Sequence, residues 1–368
     1  MNNPPIQVNK TYLPNLEEYA TLLRSVWESH WVTNGGPLVR QLETHLSERF
    51  GVTTQLVSNG TVALQLAFRA LELRGSVITT PFSYVATTSA LLWEGLRPVF
   101  VDVEPEWHTL DPNLVEAAIR PDTTAILATH VYGYPCAHHR LQEIADRHGL
   151  ALLYDAAHAF DVALHGQSIL DWGAISTLSF HATKVFHTIE GGGVLTRDPA
   201  LAERLDLLRT FGHVDADYRM VGINGKNTEF HAAVGLLNLS RLAANRAARK
   251  RISETYQELL QDLPLRTLDP DDYPGLTYNY AYFPIFCAGL EVRTALIDTL
   301  NAHNIFPRRY FAPSLNELPF LPQDCARPCP VSERAARTVL CLPLYPDLAL
   351  DDVRRICGLI RQSATVWV

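Results

Sequence analysis

The chain carries no surplus of positive charge: 31 Lys and Arg face 39 Asp and Glu, for a net charge of −8. Nucleic-acid and anionic-membrane binders depend on clustered cations, so neither is expected as a bulk partner. A local basic pocket for a phosphorylated ligand stays compatible with that balance. There is also no uninterrupted apolar run long enough to cross a bilayer, which takes about 20 residues. The opening residues, MNNPPIQVNKTYLPN, lack the apolar core of a secretion signal, so a cytoplasmic location is expected. Six cysteines (Cys136, Cys287, Cys325, Cys329, Cys341 and Cys357) are scattered along the chain. That is reduced, cytosolic usage rather than a disulfide framework. Cys325 and Cys329 form C-x3-C without a second ligand pair nearby, and a structural tetrahedral site wants four ligands. No metal is expected. No internal repeat or low-complexity segment is evident.

What is present is ordinary globular composition, 47% hydrophobic and 19% charged, over 368 residues. That length suits one large domain with a smaller one. Helices are expected over residues 16–30 and 37–50, separated by a turn rich in Asn, Gly and Pro. Val62, Leu66, Ala70 and Leu73 then share one helical face. A short apolar strand therefore delivers Ser58, Asn59, Gly60 and Thr61 to a helix N-terminus. Such a corner seats phosphate through its unpaired amides and the helix dipole. On general grounds the same corner reads first as an N-cap that merely starts a helix.

Strand-like runs at 76–80, 97–102, 124–129, 151–154 and 174–180 alternate with helical ones at 85–94, from about 112, and at 141–148. The alternation predicts a mostly parallel sheet covered on both faces, in which ligands collect at the strand carboxyl ends. Ser58, Tyr84, Asp155 and Ser179 fall at such ends or just beyond. Residues 199–209 read as a helix, 211–228 as a polar loop too long for a simple connector, and 230–261 as one long helix linking two domains. From about 263 the chain mixes a strand (278–286), helices (292–301 and 349–361) and Pro-rich loops. The expected division is a large domain over 1–240 and a smaller α+β domain over 241–368.

The stretch Ser179 to Thr196, SFHATKVFHTIEGGGVLT, concentrates the chemistry. Lys184 stands just past an apolar strand end, and Gly191, Gly192 and Gly193 let the backbone turn before the next apolar run. A lysine in that setting is costly unless neutralised or covalently bonded. A Schiff base to a carbonyl cofactor does both. Taken alone, the same lysine is also compatible with a surface position on a glycine-rich loop. A pyridoxal phosphate ring needs an amine for its aldehyde, a carboxylate that keeps the ring nitrogen protonated, a phosphate cradle and a flat side chain. Lys184 and Asp155 can supply the first two. Gly60, Thr61 and Ser179 can form the cradle, and Tyr84 the stacking face. His158 can donate to the ring oxygen or serve as a packing histidine.

SFHATKVFHTIEGG, with YDAAHAF and SNGTVAL upstream, resembles the sugar aminotransferases of the DegT/DnrJ/EryC1/StrS family, within the fold-type I pyridoxal phosphate enzymes. The likeness runs over nearly the whole chain, through WVTNGGP, TPFSYVAT, PVFVDVEP, HVYG, GINGKNTEFHAAVGL, RRYFAP and LPLYP. The resemblance implies an aspartate aminotransferase-like α/β fold: a large domain with a seven-stranded, mostly parallel sheet flanked by helices, plus a smaller α+β C-terminal domain. It further implies a homodimer whose active site is shared at the subunit interface.

Under that resemblance Lys184 would be the Schiff-base lysine and Asp155 the pyridinium partner. Gly60, Thr61 and Ser179 would hold the phosphate, Tyr84 would stack, and His158 would line the ring edge. Asn224, in GINGK, would reach the neighbouring subunit's phosphate. Lys226, Arg308 and Arg309 are candidates for the sugar diphosphate, with Tyr310 beside them as a further substrate contact. Two positions depart from the family pattern. Asn316 stands near the place of a common histidine, which bears on sugar contacts, and Asn227 replaces a common methionine, which bears on packing near the dimer contact.

Relatives with histidine in place of the lysine are dehydratases, so Lys184 favours amino transfer. The implied reaction takes the amino group of L-glutamate, passes through the pyridoxamine phosphate form, and delivers it to a nucleotide-linked keto sugar. The EGG and NGK forms resemble members that aminate C4 of dTDP-4-keto-6-deoxyhexoses, in amino-sugar biosynthesis for O-antigen or glycosylated natural products. Amination at C3, a pyridoxal-dependent sugar dehydratase and a non-catalytic dimer of the same fold remain open alternatives.

Overall fold

The computed structural model describes residues 4–364. Two helices, α1 (Leu16–Ser29) and α2 (Pro37–Phe50), come first. They are followed by β1 (Thr53–Val57), α3 (Gly60–Ala70), β2 (Ser76–Thr79), α4 (Ala86–Trp93), β3 (Arg97–Phe100), β4 (Thr123–Thr129), α5 (His138–His148), β5 (Ala151–Asp155), β6 (Ile175–Ser179) and β7 (Gly192–Thr196). The seven strands form one sheet in the order β1-β7-β6-β5-β4-β2-β3. β7 runs antiparallel to both its neighbours, and the other pairings are parallel. Adjacent residues of each strand face opposite sides, as a pleated strand requires. Leu56, Ile78, Ile126 and Leu152 pack under α2 with Leu38, Leu42 and Leu46. Their neighbours Val57, Val77, Leu127 and Leu153 pack under α3 with Ala63, Leu66 and Ala67.

The reversal at β7 has a simple cause. A parallel return needs a crossover connection, usually a helix, whereas β6 and β7 are joined by residues 180–191 without one. The chain leaves the carboxyl end of β6, makes a compact excursion and comes straight back beside it. Lys184 sits on that excursion. The glycines act differently from the expectation that they permit a turn: none of Gly191, Gly192 and Gly193 has positive φ, and Ile189 takes the left-handed conformation instead. Their need is space. A Cβ on Gly192 would lie 2.6 Å from the carbonyl of Asn59, and one on Gly191 would lie 2.1 Å from Thr188 Oγ1.

After α6 (Pro199–Arg209), the polar loop folds on a two-residue hairpin, His213–Val214 against Asp217–Tyr218. The long helix α7 (Glu229–Leu260) then spans both cores. Ala232, Ala233 and Leu242 join the core under α2, whereas Ile252, Tyr256 and Leu260 belong to a second core. The proposed division near residue 240 thus falls inside a continuous helix. The C-terminal part adds β8 (Arg266–Thr267), β9 (Pro284–Phe286), α8 (Leu290–Ala302), α9 (Pro330–Thr338), β10 (Val339–Cys341) and α10 (Leu350–Ala364). Strands β8, β9 and β10 pair antiparallel in the order β8-β9-β10. The N-terminal segment joins this second core, because Ile6–Gln7 pairs in parallel with Ile305–Phe306.

The strand expected over 278–286 shrinks to β9. Tyr280 is left-handed at φ 54°, and Asn279 fixes the turn. Its Nδ2 donates to the carbonyls of His158 and Phe160 at 2.8 and 2.9 Å, while its Oδ1 accepts from Ala281 N–H at 3.0 Å. A side chain that bonds its own backbone locally competes with a strand ladder.

Glu229 locks α7 to α2. Its carboxylate, 1% exposed, accepts the Leu38 and Val39 amides at 2.8 and 2.9 Å. It thereby serves two of the amides that a helix start leaves unpaired. Gly36 makes room, since a Cβ there would lie 2.5 Å from Glu229 Cδ. Glu229→Ala should lower unfolding stability by about 3 kcal/mol and Glu229→Gln by about 1 kcal/mol, read as shifts of the urea midpoint at constant slope.

Candidate active site

A cavity of about 710 Å³ opens at the carboxyl ends of β1, β5 and β6 and is walled on its other side by Tyr282, Tyr310 and Phe311. Gly60, Thr61, Tyr84, Asp155, His158, Ser179, Lys184 and Tyr310 all line it. Residues spread over 250 positions of sequence thus share one space.

β5 ends in Asp155, which is buried. Its Oδ2 accepts from Thr87 Oγ1 at 2.6 Å and its Oδ1 from Ala157 N–H at 3.2 Å. Burial pushes the Asp155 carboxyl up, and Thr87, Ala157 and the charge of Lys184 oppose that rise. Lys184 sits in a turn closed by its own amide on the His181 carbonyl at 2.9 Å. Its Nζ lies 3.4 Å from Tyr282 Oη. Burial pulls its ammonium down to about 8, with Asp155 pulling the other way. An amine lowered to about 8 keeps a far larger neutral fraction near neutral pH than an ordinary lysine, and that fraction can act as nucleophile or base.

His158 lies between the two lobes, stacked on Phe311 at 5.2 Å and edge-on to Tyr282 at 5.0 Å. Burial, reinforced by Lys184, holds its imidazolium well below the usual range. The ring is therefore neutral, and its Nδ1 accepts from Tyr132 N–H at 3.2 Å. The proton must then sit on Nε2.

The corner expected to seat a phosphate is built by contact between helix and strand. A Cβ on Gly60 would lie 2.8 Å from Ser179 Cβ, so only glycine lets α3 start this close to the end of β6. Asn59 takes the Val62 amide on its Oδ1 at 2.9 Å and the Ala63 amide on its carbonyl at 3.0 Å. Among the described residues this leaves the Gly60 and Thr61 amides at the cavity end, next to the Ser179 hydroxyl. Tyr84, 57% exposed, presents its ring at the open side.

A model of the DegT/DnrJ/EryC1/StrS aminotransferase family matches residues 15–361. The chain belongs to that family. It is 38% identical to the dTDP-4-amino-4,6-dideoxy-D-glucose transaminase of Escherichia coli, over 98% of this chain and 99% of that protein. It is 30% identical to the UDP-N-acetyl-3-dehydro-alpha-D-glucosamine 3-aminotransferase of Acidithiobacillus ferrooxidans, over 98% and 97% of the two chains. The structure superposes on that of DesI in the presence of its TDP-sugar product with a TM-score of 0.94 and 36% identity, covering 99% of this chain and 94% of that one. The fold is the fold-type I architecture expected from the sequence.

In this aminotransferase the remaining candidates lie outside the cavity wall. Asn224 is exposed and its backbone bridges Thr210. Lys226 Nζ stands 5.0 Å over the Phe211 ring. Arg308 exchanges backbone hydrogen bonds with Cys341, and Arg309 follows it without reaching the wall. Ser58, at the end of β1, binds the Gly225 carbonyl through its amide at 2.8 Å. Asn316 does not face the cavity either. It is buried in a network with Ser314, Arg327 and Glu333. Asn227 is buried and caps the Thr228 amide at 2.8 Å. Among the described residues no group of three His, Cys, Asp or Glu could hold a metal.

Sequence reasoning missed Thr87, Ser83, Tyr282, Phe311 and Asn9. Thr87 was within reach, since it lies one turn past Tyr84 in TPFSYVAT, where a helix start brings successive turns to one face. Tyr282 and Asn9 carry no local signal, because lobe packing alone brings them to Lys184.

The titration of Lys184 has a sign that can be checked. In protein freed of cofactor, acylation of Lys184 should rise with pH through about 8 and then level off, as the neutral amine forms. Asp155→Asn removes the charge that favours the ammonium, so the midpoint should fall to lower pH. Peptide-resolved labelling against pH measures both.

Proposed function

We propose that this protein is a pyridoxal phosphate-dependent aminotransferase that moves the amino group of L-glutamate to C4 of a dTDP-linked 4-keto-6-deoxyhexose. The observation that carries the reading is Lys184 and Asp155 on one cavity wall, in a chain 38% identical along 98% of its length to a dTDP-4-amino-4,6-dideoxy-D-glucose transaminase. The reading favours C4 over C3 because two relatives named for amination at C3 are more distant, at 30% and 33%.

The residues present fit the cofactor. The Gly60 cradle, which a Cβ would fill, offers amides and the Ser179 hydroxyl to a phosphate. Asp155 offers a buried carboxylate, and Lys184 an amine that sheds its proton readily. Pyridoxal phosphate, when bound, supplies an aldehyde that condenses with amines and a ring that accepts the electron pair released at the substrate carbon.

The chain's own residues then divide the work. Lys184 would hold the cofactor through its amine and would be left free once the donor binds. Its freed Nζ, which burial makes easier to deprotonate, would take the proton from the donor's Cα and in the second half-reaction return a proton to C4 of the sugar. Asp155 would hold a negative charge for the ring nitrogen. His158, with its proton on Nε2, offers one hydrogen bond from the cavity wall. Tyr84 covers the open face, and Tyr310 and Phe311 exclude water from the far side.

The wall contributed by one subunit holds a single lysine and no arginine. The proposed ligands bring a phosphate, two carboxylates and a diphosphate. That imbalance supports a homodimer whose partner completes the site, with Asn224 reaching the partner's phosphate and Lys226, Arg308 and Arg309 available to the sugar diphosphate. Among the described residues no helix is long and apolar enough to cross a membrane. We place the enzyme in the cytoplasm, where nucleotide sugars and glutamate are at hand.

Purified holoenzyme given glutamate and a panel of nucleotide-linked keto sugars should form 2-oxoglutarate and one amino sugar, identified by mass spectrometry. Turnover of no sugar in the panel would sink the substrate assignment. Borohydride reduction followed by peptide mapping should mark Lys184 and no other lysine. Mixing Lys184→Ala with Asn224→Ala subunits should recover part of the activity that each lacks alone, since a hybrid dimer then holds one intact site. No recovery would count against the shared site.

A further inference from the structure

Asp155 ends a line of three buried hydroxyls. Thr87 Oγ1 lies 2.6 Å from Asp155 Oδ2, Ser83 Oγ lies 2.8 Å from Thr87 Oγ1, and Thr129 Oγ1 lies 3.4 Å from Ser83 Oγ. All three are removed from water, Thr87 and Thr129 completely and Ser83 to 2%. Three separate pieces of the fold bring them together: the end of β4, the turn after β2 and the first turn of α4. Each hydroxyl owns one hydrogen. With Asp155 ionised, Thr87 directs its hydrogen to the carboxylate. Ser83 must then donate to Thr87, and Thr129 to Ser83. The charge at one end fixes the direction of the whole line, and O–H dipoles aligned head to tail strengthen one another.

We propose that Thr129, Ser83 and Thr87 form an oriented hydroxyl relay that holds Asp155 as a carboxylate, making Thr87 and Ser83 positioning residues for the reaction. The inference rests on the aminotransferase reading, which gives the held charge its task. Burial by itself favours the neutral acid. The compensating groups around Asp155 are few: Thr87 on one oxygen, the Ala157 amide on the other, and the charge of Lys184. His158, which lines the same wall, is neutral and lends no charge. Of the two direct hydrogen bonds, the one from Thr87 is the shorter, and it alone has further donors lined up behind it. Thr87 acts through Asp155, so its substitution should change the state of the ring nitrogen and not only the rate.

Pyridoxal phosphate labelled with the heavy nitrogen isotope in its ring, bound in the holoenzyme, reports by NMR whether that nitrogen is protonated. Wild-type protein should show the protonated form, and Thr87→Val, which keeps the volume, should shift the resonance toward the unprotonated one. The glutamate half-reaction, followed as loss of the visible absorbance of the lysine-bound cofactor, should slow by about ten- to a hundredfold, the usual effect of losing a hydrogen bond to a buried charge. Thr87→Ser should restore both readings. A Thr87→Val resonance unchanged from wild type overturns the relay, whatever happens to the rate. Should Thr87→Val fail to hold cofactor, Ser83→Ala carries the test, because it leaves Thr87 in contact with Asp155. It should shift the resonance in the same direction by less, and the absence of any shift overturns the relay. A wild-type holoenzyme with a protonated ring nitrogen but no glutamate half-reaction would instead overturn the aminotransferase reading, while the shifts in the variants still decide the relay.

Discussion

A carboxylate and an amine occupy one cavity that would penalise either alone. Burial raises Asp155 and lowers Lys184, and each charge tempers the other's shift. The pairing stops short of a salt bridge, which would fix Lys184 as an ammonium and end its use as a base. Instead Lys184 rests near a neutral tyrosine hydroxyl, and Asp155 takes its compensation from Thr87 and a backbone amide. The sheet exists to keep this separation. β5 ends in Asp155, β6 next to it ends in Ser179, and the excursion before β7 swings Lys184 back over the same edge. A crossover helix after β6 would have carried the lysine away from it.

The parts that were legible in the sequence are those set by local periodicity. α2 and α6 fall at 37–50 and 199–209 as expected, because each begins with proline, whose fixed φ suits a first turn, behind a residue of extended backbone. The cavity wall was legible where strand ends carried it, at Asp155 and Ser179, since the carboxyl edge of a parallel sheet is a property of topology. What was not legible depends on distant contact. The 278–283 segment reads as a strand by its aromatic residues, yet the Asn279 side chain turns it into a cavity wall by bonding the carbonyls of His158 and Phe160, far upstream. The triple glycine reads as a turn, yet its requirement is clearance for Asn59 and Thr188. A periodicity argument sees neither.

The charge inventory of the wall explains why some candidates lie where they do. A site for several anions with one lysine and no arginine of its own is electrostatically unfinished. Cations on the polar loop and on the 308–309 segment were expected at the substrate from their sequence context, and in the subunit they stand apart from the cavity. The proposed homodimer would account for that distance, since a second copy could bring such groups to the site. An anion seated by helix amides and one lysine still lacks the bidentate partners that a diphosphate favours.

The Lys184 turn has no regular structure of its own, so its rigidity has to be borrowed. Asn9 Nδ2 donates to the Thr183 carbonyl, and His187 Nε2 bonds the Tyr12 carbonyl at 2.7 Å. From α7, Asn238 Nδ2 donates to the His187 carbonyl at 2.8 Å. The N-terminal segment that supplies two of these ties is itself fastened to the C-terminal lobe, through pairing with Ile305–Phe306 and through Leu344 N–H on the Val8 carbonyl at 3.0 Å. The turn is therefore held between both lobes, one residue away from the amine that, in the proposed reaction, must reach a reacting carbon within a fraction of an ångström. A loop fixed only by its neighbours in sequence would lack that precision. This is why a segment from the far end of the chain lies against the lysine, although nothing in its own sequence announces chemistry.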